Sequence, residues 1–186
     1  MMTEISLNIL DVVQNSVRAE ASLIEIEVSA DSHTDRLIVH IRDNGCGMDE
    51  KQLQSVTDPF FTTRTTRKIG LGIPFFKQAA EATGGCFKIT SVPGKGTDVT
   101  AEFVLSSIDR MPLGDMPITI HTLVTLNPQI DFIYRYVHDE NEFTLDTREL
   151  REILGADIKF SSREVFAYIM DYLTENTSET DDGNII

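Results

Sequence analysis

Four glycine-containing segments hold most of the residues in this chain that could do chemistry. They are Asp43-Asn44-Gly45-Cys46-Gly47, Gly70-Leu71-Gly72, Gly84-Gly85 and Gly94-Lys95-Gly96-Thr97. Two familiar phosphate motifs are excluded. A P-loop requires Gly-Lys followed by Ser or Thr, and Gly94-Lys95 is followed by Gly96. The dinucleotide fingerprint requires a third glycine where this chain has Phe75.

Phosphate binding has another physical basis here. Gly70-Leu71-Gly72 opens a predicted helix at the end of a basic, Thr-rich loop carrying Arg64, Arg67 and Lys68. Main-chain N–H groups at a helix N-terminus, backed by the helix dipole, make an anion site, and glycine lets a phosphate come close. Asp43-x-Gly45-x-Gly47 follows a strand end, where a carboxylate can accept the exocyclic amine of adenine and glycines let the backbone curve round the base. Asp11 and Asn15, at i and i+4, project together from the first helix. Asn15 could offer an oxygen to Mg²⁺, and Asp11 could orient or deprotonate a water. Each feature taken alone also has an ordinary reading: a tight turn, a surface Asp-Asn-Gly turn, the polar face of an amphipathic helix.

The elements that must position these residues follow from periodicity. Ile5, Ile9, Val12, Val13 and Val17 recur at three- and four-residue intervals and predict a helix over 3–19. Ile24, Ile26 and Val28 alternate with polar residues, as do Leu37, Val39 and Ile41; Phe87 and Ile89; and Val99, Ala101, Phe103 and Leu105. Strands with one polar face predict a mainly antiparallel sheet with one side open to water and helices on the other, a two-layer α/β sandwich of the α+β class. A second helix is expected over 73–83, with Pro74 in its first turn and Gly84-Gly85 stopping it. A boundary is expected over 106–117, dividing a domain at 1–107 from a small acidic α/β module at 108–176. That module should hold a helix from Asp115, a hairpin over 132–145 and two helices, the last opening on a Ser161/Glu164 capping box. The polar residues 177–186 are expected as a disordered tail.

Composition bounds the partners. The chain has 186 residues and a net charge of −14, with ten basic and fourteen acidic residues before position 106 and six against sixteen after it. Nucleic acid and anionic membrane surfaces are therefore not expected as partners. No apolar run reaches membrane-spanning length and no secretory signal is visible, which predicts a cytoplasmic protein. Cys46 and Cys86 read as reduced thiols without metal-ligand spacing. His33, His40, His121 and His138 read as solvated or hydrogen-bonded surface residues.

In their order along the chain these segments resemble the GHKL ATPase superfamily of gyrase B, the heat-shock chaperone, histidine kinases and MutL. Leu10 to Ala19 is similar to the N box and Asp43 to Met48 to the G1 box. Pro59-Phe60-Phe61-Thr62-Thr63 is similar to the F box of histidine kinases, and Gly70-Leu71-Gly72 to their G2 box. Gly84-Gly85 and Pro93 to Thr97 complete the pattern, which covers about residues 5–105. The resemblance implies a Bergerat-type sandwich holding Mg-ATP between helices and sheet. Asp43 would read adenine and Thr97 would brace it through its hydroxyl and a water. Gly45, Gly47 and Met48 would line the base, Asn15 would coordinate Mg²⁺, and Gly70, Leu71 and Gly72 would hold phosphates. Arg64, Arg67 and Lys68 would belong to a lid over the γ-phosphate.

Gyrase, the chaperone and MutL carry Glu where this chain has Asp11, one methylene shorter, so slow hydrolysis is expected. The chain opens at the N-box helix, so neither the phosphoacceptor-histidine helices of a sensor kinase nor the transducer domain of gyrase or MutL is expected in it. The expected function is a slow ATPase or phosphotransferase acting in regulation through a protein partner. The alternative is a nucleotide-gated, non-hydrolysing regulator of the anti-sigma kind. A homodimer is left open.

Overall fold

The computed structural model describes residues 3–57, 72–155, 160 and 162–183. Elements follow in the order α1 (Ile5–Arg18), β1 (Leu23–Asp31), β2 (Arg36–Asp43), α2 (Glu50–Thr57), α3 (Gly72–Ala82), β3 (Cys86–Val92), β4 (Gly96–Val104), α4 (Met116–Leu126), β5 (Asp131–His138), β6 (Asn141–Asp146), α5 (Thr147–Leu154) and α6 (Arg163–Thr180). The strands form one six-stranded sheet in the order β3-β4-β2-β1-β5-β6. Every pairing is antiparallel except β1 with β5.

Alternation sorts the two faces as expected. Ile24, Ile26, Val28, Leu37, Val39, Ile41, Val99, Ala101 and Phe103 are buried beneath Ile5, Ile9, Val12 and Val13 of α1 and Ile73, Phe76 and Ala80 of α3. On the other face Arg135 bridges Glu27 at 2.9 Å and Glu142, Arg36 meets Glu102 at 2.9 Å, and His40 meets Asp98 at 3.0 Å. These exposed pairs contribute at most about 1 kcal/mol each. They keep one side of the sheet polar while helices cover the other, which is a two-layer α+β sandwich.

The segment read as a separate module supplies β5 and β6 to this same sheet. Ile24 lies opposite Phe132 and Val28 opposite Tyr136, and Phe132, Tyr134, Tyr136 and Leu145 continue the apolar face under α4 and α6. Asp115 caps α4 by accepting from Ile118 N at 2.8 Å. The cap of α6 differs from expectation. Its N-cap is Ser162, which makes no side-chain cap, and Ser161 lies outside the described residues.

Two expectations are corrected. Residues 177–186 are not a tail throughout: α6 runs to Thr180, and Thr180 and Asp181 are buried. Tyr136 donates to Asp181 Oδ2 at 3.2 Å and Asn141 Nδ2 to Thr180 O at 3.3 Å, so the β5–β6 hairpin supplies partners that the local polar composition conceals. Burial, and then the Asp181 charge, pushes the Tyr136 phenol well up, so it acts as a donor. His121 is buried rather than at the surface; its Nε2 donates to Phe166 O at 3.0 Å. The sequence reading also missed α2. Its signal is a capping box: Gln52 N donates to Asp49 Oδ1 at 2.8 Å and Asp49 N to Gln52 Oε1 at 2.9 Å. Among the described residues no helix is long and apolar enough to cross a membrane.

Because β5 hydrogen-bonds to β1 along its whole length, the sheet should melt as a unit. Phe132→Ala, which empties a site 1 % exposed, is expected to cost about 3–5 kcal/mol in urea unfolding. Circular dichroism and tyrosine emission should report one coincident transition. Two transitions, with only one of them moved, would mean separately folding units.

Candidate nucleotide cleft

Along one end of the buried sheet face the apolar alternation gives way to polar side chains in a single row. Leu37, Val39 and Ile41 are followed by Asp43; Phe87 and Ile89 by Ser91; and Thr97 precedes Val99. In register Asp43 lies opposite Thr97, and Thr97 opposite Ser91. From the helix layer Ser16 reaches the same point, four residues beyond Val12 on the buried face of α1.

Asp43 is 8 % exposed, and its carboxylate is almost fully engaged. Oδ1 accepts from Gly45 N at 2.9 Å and Thr97 N at 3.3 Å, and Oδ2 accepts from the Ser16 hydroxyl at 2.6 Å. A carboxylate taken out of water needs such donors, because an unsatisfied buried charge costs several kcal/mol. Oδ1 has used both lone pairs, so the remaining accepting capacity sits on Oδ2.

The loop beyond Asp43 is stitched to its surroundings by main-chain bonds. Cys46 N donates to Ala19 O at 2.9 Å and Gly94 N to Cys46 O at 2.7 Å, while the Asn44 side chain accepts from Ser22 N and Leu23 N. Gly47 holds φ at +65°, and a Cβ there would lie 2.1 Å from Val92 O, so the turn requires glycine. Met48 N donates to Ser91 Oγ at 2.8 Å.

These elements enclose a cleft of about 410 Å³, a volume in the range of small-ligand sites. Val12, Ile41, Val56, Ile73 and Val99 give it apolar walls, Asp43 and Thr97 a polar end, and Asn15 and Arg18 lie on its α1 side. Of the expected site residues, Asn15, Asp43, Gly47, Met48 and Thr97 line this one cleft. Gly45 contributes its N–H from behind Asp43. Asp11 is not among the lining residues: it lies one helical turn from Asn15, with Oδ2 2.5 Å from where a Cβ on Gly72 would be. Gly72 thus lets the start of α3 close over Asp11, at the positive end of that helix. Arg64, Arg67, Lys68, Gly70 and Leu71 lie outside the described residues.

Two details depart from the expected site. Thr97 braces Asp43 directly through its main-chain N–H, and its hydroxyl turns instead to Ser91 Oγ at 3.0 Å. The Asn15 amide oxygen accepts from Arg18 Nη1 at 3.1 Å, and Arg18 was not among the expected site residues. Ser16, Ser91 and Cys46 were missed as well. A signal existed for both serines: each is a hydroxyl at a position where the periodicity calls for an apolar residue, and a hydroxyl on that face needs a hydrogen-bond partner. Cys46, an exposed free thiol on the cleft wall, carried no such signal.

Comparison with known proteins agrees with this geometry. Residues 3–107 match the family described as histidine kinase-, DNA gyrase B- and HSP90-like ATPase. A putative sensor protein of Shewanella frigidimarina is 32 % identical over 107 residues, 57 % of this chain and 16 % of that protein. Sensor histidine kinase ZraS of Salmonella typhimurium is 34 % identical over 100 residues, 53 % of this chain and 21 % of that protein. The chain thus spans about a fifth or less of the length of these two relatives. A crystal structure of the N-terminal domain of a DNA repair protein shares the fold, with a TM-score of 0.54 over 83 % of this chain and 58 % of that one at 14 % identity. With the match extending over more than half its length and the matched segment building a cleft closed by a buried carboxylate, the chain belongs to the histidine kinase-, gyrase- and HSP90-like ATPase family.

Proposed function

We propose that this chain binds Mg-ATP in the cleft and acts as a slow ATPase or phosphotransferase of the histidine kinase type, in the cytoplasm and through a protein partner. One observation carries the reading: the buried Asp43 carboxylate keeps a spare acceptor on Oδ2 at the polar end of an apolar slot whose α1 side presents Asn15. An adenine 6-amine matches that acceptor, and the slot walls Ile41, Val99 and Val12 suit the faces of a purine. Gly45, Gly47 and Met48 shape the loop around the base. Membership in the family and the sensor kinases among the relatives support the kinase-type chemistry.

The fit of a divalent cation is judged on the donor present. Asn15 offers one hard amide oxygen, which suits a cation held mainly by nucleotide phosphates and waters. Bound there with the nucleotide, Mg²⁺ would neutralise phosphate charge. Arg18 would have to release Asn15 Oδ1 and would be free to face phosphate oxygens. Gly72, with Gly70 and Leu71, would bring main-chain donors to the same phosphates, and Arg64, Arg67 and Lys68 would cover them. Asp11 would orient an attacking water and accept its proton. Its short side chain and its seat beneath Gly72 favour slow turnover.

Titration calorimetry with Mg-ATP tests the binding half. Asp43→Asn, which removes the charged acceptor, is expected to weaken ATP by about 10- to 100-fold. Affinity unchanged in a variant that still folds would refute the assignment. Asp11→Ala tests the chemical half: ATP binding should persist while phosphate release or transfer to protein falls by about 100-fold or more. Turnover equal to the parent chain would remove Asp11 from the chemistry.

A further inference from the structure

The hydrogen-bond inventory around Ser91 fixes the direction of a proton that the cleft would otherwise leave free. Ser91 Oγ has three partners: Met48 N at 2.8 Å, Gly96 O at 3.0 Å and Thr97 Oγ1 at 3.0 Å. A hydroxyl carries one proton and two lone pairs. Met48 N–H can only donate, so it occupies one lone pair. Gly96 O can only accept, so it takes the proton. The third partner must therefore donate, and Thr97 spends its own hydroxyl proton on Ser91. Thr97 lines the cleft, and all its hydroxyl has left to offer there is lone pairs. On the residue opposite it in register, Asp43 Oδ2 also has only accepting capacity left.

We infer that Ser91, which is not itself a lining residue, is a positioning residue that sets nucleotide specificity by holding the Thr97 hydroxyl as an acceptor. With Asp43 and Thr97 both accepting, the polar end of the cleft matches a 6-amino purine, whose two N–H groups can find an acceptor each. A 6-oxo purine in the same pose sets its carbonyl oxygen against acceptors, and its N1–H can satisfy only one of the two, so it binds more weakly. Losing Ser91 lets the Thr97 hydroxyl rotate and donate, so the 6-oxo base gains a partner. Ser91 also holds Met48, but that loss touches every purine alike and cancels in a ratio. The inference rests on the ATP-binding reading and adds to it the residue behind the discrimination.

The test compares the affinities of ATP, inosine triphosphate (6-oxo) and purine riboside triphosphate (no 6-substituent) for the parent chain, Ser91→Ala and Ser91→Thr. The parent should prefer ATP over inosine triphosphate by about tenfold or more. Ser91→Ala should cut that preference by about three- to tenfold, with purine riboside triphosphate reporting the loss common to all purines. Ser91→Thr, which restores a hydroxyl, should recover the parent ratio. Should Ser91→Ala fail to fold, Thr97→Val must also lower the ATP-to-inosine ratio, because ATP loses an acceptor that the 6-oxo base did not use; Ser91 keeps its other two partners. An unchanged ATP-to-inosine ratio in the folded variant overturns the inference while leaving ATP binding intact. Equal weakening of all three nucleotides assigns Ser91 a structural role and overturns it too. A parent chain that binds none of the three overturns the ATP reading itself, and this inference with it.

Discussion

The Asp43 carboxylate, buried at the end of an otherwise apolar sheet face, is the constraint around which the cleft is built. A charge in that position is tolerable only with donors in place. Those donors come from three separate parts of the chain: the Ser16 hydroxyl on α1, the Gly45 N–H of the following loop and the Thr97 N–H on β4. Holding them there ties the first helix, the glycine loop and the β2–β4 pairing into one geometry. One lone pair is left over, on Oδ2.

The glycines serve that geometry more than they serve flexibility. Gly47 is forced by its backbone angle and by the nearness of Val92, while Gly72 allows α3 to close on Asp11. The apolar walls come from the same residues that make the core: Val12, Ile41, Ile73 and Val99 belong both to the sandwich and to the slot. The cleft is a place where the two layers part slightly, with the polar row marking where the core ends. β5 and β6 extend the sheet at the edge away from β3 and β4, so they bear on the cleft through the stability of β1 rather than by contact.

Much of this was readable from the residues because strand alternation and helical spacing are local signals. The two-layer architecture, α1, α3, the strands and the Asp43 and Asn15 side chains all follow from spacing alone or from spacing in a recurring order. What escaped depends on partners distant in sequence. Thr180 and Asp181 read as tail because Tyr136 and Asn141, which bind them, lie about forty residues earlier. β5 read as part of a separate module because a parallel pairing across an intervening helix leaves no local trace. Ser16 and Ser91 read as small polar residues in amphipathic elements, although their places in the apolar register mark them as hydroxyls, one buried and one half-buried, in need of partners. Asp49 and Gln52, by contrast, announce α2 by local capping chemistry.

The most direct test is a crystal structure of the chain with magnesium and a non-hydrolysable ATP analogue. The account predicts adenine between Ile41, Val99 and Val12 with its 6-amine on Asp43 Oδ2, Asn15 Oδ1 turned from Arg18 to the cation, and the triphosphate running toward the start of α3. A nucleotide bound elsewhere on the molecule, or one in the cleft with its base turned away from Asp43, would contradict it.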